Sequence, residues 1–177
     1  MKKRGGDKKS QVWVETVIYT LIGITIMGAL IGVITPRVNM MIDRSVVSQS
    51  VDSLNYINEQ ISDSLYSAGN QRAISLMIKK GDYVINPADN LVYFFLENTN
   101  YLASQPNEIV PQGELTILTT EKSKKKYDIK VELKLNSLNL TYQDNKLSKT
   151  LTNSPTAYNL IIRYIGGVDK KLNIDSV

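Results

Sequence analysis

Glu15 is the one charged side chain in the apolar stretch QVWVETVIYTLIGITIMGALIGVIT, Gln11 to Thr35. A carboxylate near the start of such a stretch has two uses. It can reach the headgroups at a membrane boundary, where its cost falls below the roughly 2–3 kcal/mol charged at the bilayer centre. Or it can meet a cation inside an assembly. A chain cut between Ser10 and Gln11 would place a new α-amino group one helical turn from Glu15. Two such helices, side by side and offset along their axes, would pair an amine with a neighbour's carboxylate in low dielectric. That pair would set axial register in a helical array.

Other chemistry is thin. The chain has no cysteine and no histidine. This removes disulfides, zinc sites, thiol and imidazole nucleophiles, Ser-His-Asp triads and haem ligation by these residues. A carboxylate-only site stays open, but no motif points to one, and no glycine loop suited to phosphate is present. The expectation is a protein that is not an enzyme and holds no metal or cofactor. Asn139-Leu140-Thr141 is the single N-glycosylation sequon; it matters only in an external domain. Lys122 and Lys124 to Lys126 form a basic cluster between two strand-like runs, expected to be a solvated hairpin tip, with contact to an anionic polymer or surface as the minority reading.

What positions Glu15 is the helix around it. From Thr16 to Thr35 there are twenty residues without a charge, about 30 Å of helix and the thickness of a hydrocarbon core. Ahead lies MKKRGGDKKS. Removing Lys2, Lys3, Arg4, Lys8 and Lys9 from the 21 cations and Asp7 from the 17 anions leaves sixteen of each sign. The basic character is therefore a targeting feature, and nucleic acid is not an expected partner. A basic segment before a span stays in the cytoplasm, which puts the C-terminal part outside. Met1 to Ser10 is expected to be disordered in water. Inside the span, Gly28 and Gly32 form a G-x-x-x-G pair that lets helix backbones approach closely; glycine is also common in membrane helices for no such reason.

Pro36 removes a helix hydrogen bond, so a kink or break is expected there. A helical pattern then resumes: Val38, Met41, Ile42, Val46, Val47, Val51, Leu54, Ile57, Ile61 and Leu65 recur at three- and four-residue steps through Ala68, with Asp43, Arg44, Asp52 and Glu59 among the residues between them. Gly69-Asn70 reads as the stop. Beyond it the texture is that of strands: Ala73–Lys79, Leu91–Glu97, Glu114–Thr120, Tyr127–Leu135, Asn139–Tyr142, Lys146–Leu151 and Tyr158–Ile165. Gln143-Asp144-Asn145 reads as a hairpin turn. Asn98 to Gly113, with Pro106 and Pro111, reads as a long loop.

The pattern KKSQVWVE before a long apolar helix resembles the class III signal peptide of archaeal type IV pilin-like proteins. The resemblance covers about residues 1 to 36. It implies cleavage by a prepilin peptidase between Ser10 and Gln11, flanked by Lys8 and Lys9, with Glu15 as the fifth mature residue taking part in filament assembly. The residue before the cut is usually Gly or Ala; here it is Ser10, small enough for the same pocket.

The expected fold is α+β: a long N-terminal transmembrane and stem helix carrying one mainly antiparallel β domain. Residues 1–10 would be a cytoplasmic basic segment, 11–35 the transmembrane helix, 36–69 the amphipathic stem and 70–177 an extracellular head. The expected function is that of a structural, pilin-like subunit of an archaeal pilus-like surface filament. Its partners would be the prepilin peptidase, membrane lipid and copies of itself, joined through the N-terminal helices. The alternative is an uncleaved, signal-anchored surface protein for binding or adhesion.

Overall fold

The computed structural model describes residues 7–176, with side chains from Val12 onward. One helix, α1 (Asp7–Ser64), precedes ten strands: β1 (Gln71–Leu76), β2 (Asp82–Asn86), β3 (Leu91–Thr99), β4 (Ile109–Gln112), β5 (Leu115–Ser123), β6 (Lys126–Lys134), β7 (Asn139–Tyr142), β8 (Lys149–Leu151), β9 (Tyr158–Gly166) and β10 (Lys171–Ser176). The class is α+β with mainly antiparallel sheets. The chain divides into two units, Met1–Asn39 and Met40–Val177.

α1 begins at Asp7, inside the segment expected to lack structure, and it runs through Pro36 without the interruption the sequence predicts. One missing N–H costs the helix a single bond, and long helical stretches on both sides carry it. The carbonyl left without its helical donor is that of Gly32, while the Thr35 hydroxyl beside the proline donates to Ile31 O at 2.8 Å.

In the second unit, Asp43, Val47, Ser50, Leu54, Ile57, Ile61 and Ser64 are buried at alternating four- and three-residue steps. That is the stripe a helix presents when one face is covered. It ends at Ser64 rather than near Gly69, because the following residues are captured by a strand: Gly69 N–H donates to Tyr164 O at 2.8 Å, and Tyr164 N–H to Asn70 O at 3.0 Å. Val38, Met41, Ile42 and Leu65, assigned to the apolar stripe from spacing, are exposed.

Two sheets share this helix face. One has the order β1-β9-β10-β7, the other β4-β5-β6-β3-β2-β8. Their inner residues and the stripe of α1 form one apolar cluster. Where the three meet, among Ile57, Leu76, Ile85, Val92, Leu160 and Ile162, the residual gap is about 10 Å³, room for one water at most. Tyr83 lies in this core against Phe94, ring centroids 5.1 Å apart and tilted. Burial pushes its phenol up to about 12, with hydrogen bonding to Ser53 pulling weakly the other way.

β2, β4 and β10 are strands that the sequence reading passes over. β4 sits inside the expected loop, with Pro111 paired to Thr116 at the sheet's edge, where a missing N–H costs little. The Gln143-Asp144 turn is real, closed by paired hydrogen bonds of 2.9 Å between Tyr142 and Asn145. It does not make the predicted hairpin. β7 pairs in parallel with β10, whereas β8 pairs with β2 in the other sheet, so the turn carries the chain between sheets.

Candidate functional site

The first unit offers one surface, the flank of α1 from Val12 to Asn39. Helix formation here follows from apolar residues without a breaker before Pro36, and its hydroxyls are closed onto the helix itself. Thr16, Thr20, Thr25 and Thr35 each donate to the carbonyl four residues earlier at 2.7–2.9 Å. No polar group of these threonines asks for water, which suits hydrocarbon surroundings. The chain thus carries one helix long and apolar enough to cross a membrane, and none of that apolar window is buried.

Every large apolar side chain from Val12 to Ile34 is exposed, Leu30 at 54% and Ile31 at 65% among them. A patch of this extent marks a surface that another medium or molecule covers. Trp13 and Tyr19, the aromatic residues at its start, have the amphipathic rings that favour a membrane–water boundary. At Gly28 and Gly32, an added Cβ would meet nothing within 4 Å. The small-residue pair therefore opens onto the same uncovered flank and serves no packing contact within the chain.

Glu15 is exposed on this flank and has no ion-pair partner among the described residues. The candidate processing residues are reached only in part. Lys8, Lys9, Ser10 and Gln11 lie on the first turns of α1, but their side chains fall outside the described residues.

The structure adds a second carboxylate that sequence reasoning placed on the wet side of the stem. Asp43 is 3% exposed. The Thr99 hydroxyl donates to its Oδ2 at 2.5 Å, and the Lys80 ammonium pairs with its Oδ1. Thr99 Oγ1 in turn accepts the Tyr101 N–H at 2.9 Å. Asp43 so ties the helix to the β1–β2 loop and to the end of β3 by charge-assisted bonds in a desolvated place. The signal was present: Asp43 stands four residues before Val47, in phase with the buried stripe.

The remaining sequence candidates are dispersed. Lys124 and Lys125 form the two-residue turn between β5 and β6, Lys125 with φ +62°, while Lys122 lies 3.5 Å from Asp128. Asn139 lies in β7, half-buried, with its Oδ1 taken by the Lys146 ammonium. The sequon's Thr141 is buried and its hydroxyl donates to Asn173 Oδ1 at 2.9 Å, so the folded strand does not present this sequon freely. Among the described residues no cluster of acidic side chains is placed to hold a metal ion.

The first unit presents an uncovered apolar helix flank with one carboxylate near its start, and the second packs its part of α1 into a core shared with the two sheets. No protein-family model, curated protein or solved structure matches the chain.

Proposed function

We propose that the chain is a pilin-like structural subunit of an archaeal type IV pilus-like surface filament. It would be held in the membrane by α1, cleaved by a prepilin peptidase before Gln11, and then assembled through its N-terminal helix, with the β domain facing outward. The role is structural and not catalytic. One observation carries the reading: a single continuous helix is apolar and uncovered over its first half and forms a domain's core over its second. A pilin needs this division, because the uncovered half must pass from lipid to the packed centre of a filament.

In that centre Gln11 supplies the amine and Glu15 the carboxylate. Glu15 has no ion-pair partner among the described residues, and a neighbour offset along the axis would offer it that amine. In a dry helix bundle an unpaired carboxylate costs several kcal/mol, so subunits out of register are rejected. Gly28 and Gly32 would let neighbouring backbones approach.

The test is the mature N-terminus, read by intact mass and terminal peptide sequencing of protein from native membranes, together with Glu15→Leu. The expected results are a chain starting at Gln11 and a variant that inserts in the membrane but does not assemble. A chain starting at Met1 or Lys2, with Glu15→Leu displayed normally at the surface, would overturn the proposal in favour of an uncleaved anchor.

A further inference from the structure

We infer that the end of the β domain carrying the Lys79-Lys80 loop and the Lys122–Lys126 hairpin is a docking surface for anionic phospholipid headgroups of the bilayer that α1 crosses. This rests on the reading of α1 as a membrane span.

Asp43 defines that end. It lies three residues into the second unit, and its two carboxylate oxygens hold Lys80, after β1, and Thr99, at the end of β3. Thr99 pairs with Tyr127, next to the β5–β6 turn, and the Lys126 ammonium reaches Asn98 O at 3.3 Å. The basic hairpin and the Lys79-Lys80 loop are therefore gathered around the residue where the chain enters the domain. The opposite end is marked by the β9–β10 turn, whose Gly166 lies against Ala68 beyond the C-terminus of α1.

Chain length then restricts where the basic end lies. Thr35 closes the uncharged run and Met40 opens the second unit, so four residues, five Cα steps, join them. Even fully extended they reach no more than about 18 Å. Met40, three residues before Asp43, therefore stays within that distance of the end of the uncharged run.

Charge selects the lipid. From Glu121 to Asp128 there are four lysines against two carboxylates. Asp128 is engaged by Lys122 and by the Asn98 N–H, whereas Lys79, Lys124 and Lys125 are exposed with no carboxylate partner among the described residues. A basic side chain near an anionic membrane is attracted to it, and the attraction fades within a Debye length. A two-residue turn tipped with lysines gains this attraction only where it meets the surface.

The absence of cysteine allows single reporters in the full-length chain. A fluorophore at Ser123→Cys, on the exposed hairpin, is compared with one at Val168→Cys, at the opposite end. Each chain is reconstituted in phosphatidylcholine vesicles with or without about a third phosphatidylglycerol, bearing a headgroup acceptor. Energy transfer from position 123 is expected to rise with phosphatidylglycerol, to fall back in about 0.5 M salt, and to exceed that from position 168 throughout. The Lys124→Gln/Lys125→Asn variant keeps a residue tolerant of positive φ at 125 and should lower headgroup occupancy roughly tenfold or more, with an unchanged unfolding midpoint. Transfer that is equal in the two lipids, or unaltered by the variant, overturns the inference while leaving the span intact. A chain that does not float with vesicles of either composition overturns the span reading and the inference with it.

Discussion

The two halves of α1 each carry one conspicuous carboxylate, and the contrast between Glu15 and Asp43 separates their tasks. Asp43 is buried and finds Lys80 and Thr99 within its own chain. Glu15 is exposed among apolar side chains, with no such partner among the described residues. The same difference runs through the apolar residues around them. Leu54 is enclosed by two sheets, whereas Leu30 touches nothing that covers it. The residue is leucine in both places, so coverage and not residue type decides whether it contributes to the fold of its own chain.

The sharpest way to break this contrast is a pair of equal truncations. Leu54→Ala leaves a cavity in a closed core and should destabilise the β domain by about 3–5 kcal/mol in chemical denaturation of the full chain in detergent. Leu30→Ala should move the same midpoint by less than about 0.5 kcal/mol. Comparable losses at the two positions would mean that the first half is covered after all.

Next in size is an alkaline effect confined to the second unit. Tyr83 is raised to about 12 by burial, against an ordinary value near 10 in the unfolded chain. The fold keeps the neutral phenol. Its contribution is therefore whole below about pH 10 and is lost as pH rises from about 10 to 12, a loss of about 2–3 kcal/mol. Stability measured across that window should fall in the parent chain and fall by correspondingly less in Tyr83→Phe. Equal slopes would show that the core does not exclude water from this ring.

Asp43→Ala comes third. It strands the Thr99 hydroxyl, but Lys80 is 45% exposed and can return to solvent, so the full cost of breaking a buried pair does not apply. A loss of about 2 kcal/mol is expected, again by denaturation midpoint. Lys80→Ala should cost more than a surface substitution, since it leaves Asp43 buried with one partner fewer. If both variants were neutral, Asp43 would be an incidental carboxylate and no joint.

How far the fold was legible follows the same division between local and distant causes. The span, the lone charge at Glu15 and the alternation of Ile129, Val131 and Leu133 in β6 are local patterns, readable from neighbours alone. β10 hides its pattern because Asn173, between Leu172 and Ile174, is itself buried, its amide satisfied by Thr141, Asp144 and Asp175. Spacing sets Asp43 among the polar residues of the stem, because its partners stand 37 and 56 positions away in sequence. The Gln143-Asp144 turn is legible but the pairing of its strands is not, because which sheet a strand joins depends on distant partners and not on the turn.

The smallest expected effect on stability is the most discriminating. Gly28→Leu and Gly32→Leu place large side chains where an added Cβ meets nothing within 4 Å. Within one chain they break no contact and put a better helix former in place of glycine, so the unfolding midpoint of the β domain should stay within about 0.5 kcal/mol of the parent. Between chains they should matter, because bulk at a small-x-x-x-small pair holds two helix backbones apart. Energy transfer between labelled chains diluted in micelles should therefore fall by about 1 kcal/mol in association, roughly fivefold. Lost association with unchanged stability places the task of this flank between molecules. If stability and association fell together, the flank would be packed within the chain, and the contrast between the two halves of α1 would collapse. Unchanged association would leave the apolar flank facing lipid alone, with Glu15 as the remaining candidate for contact between chains.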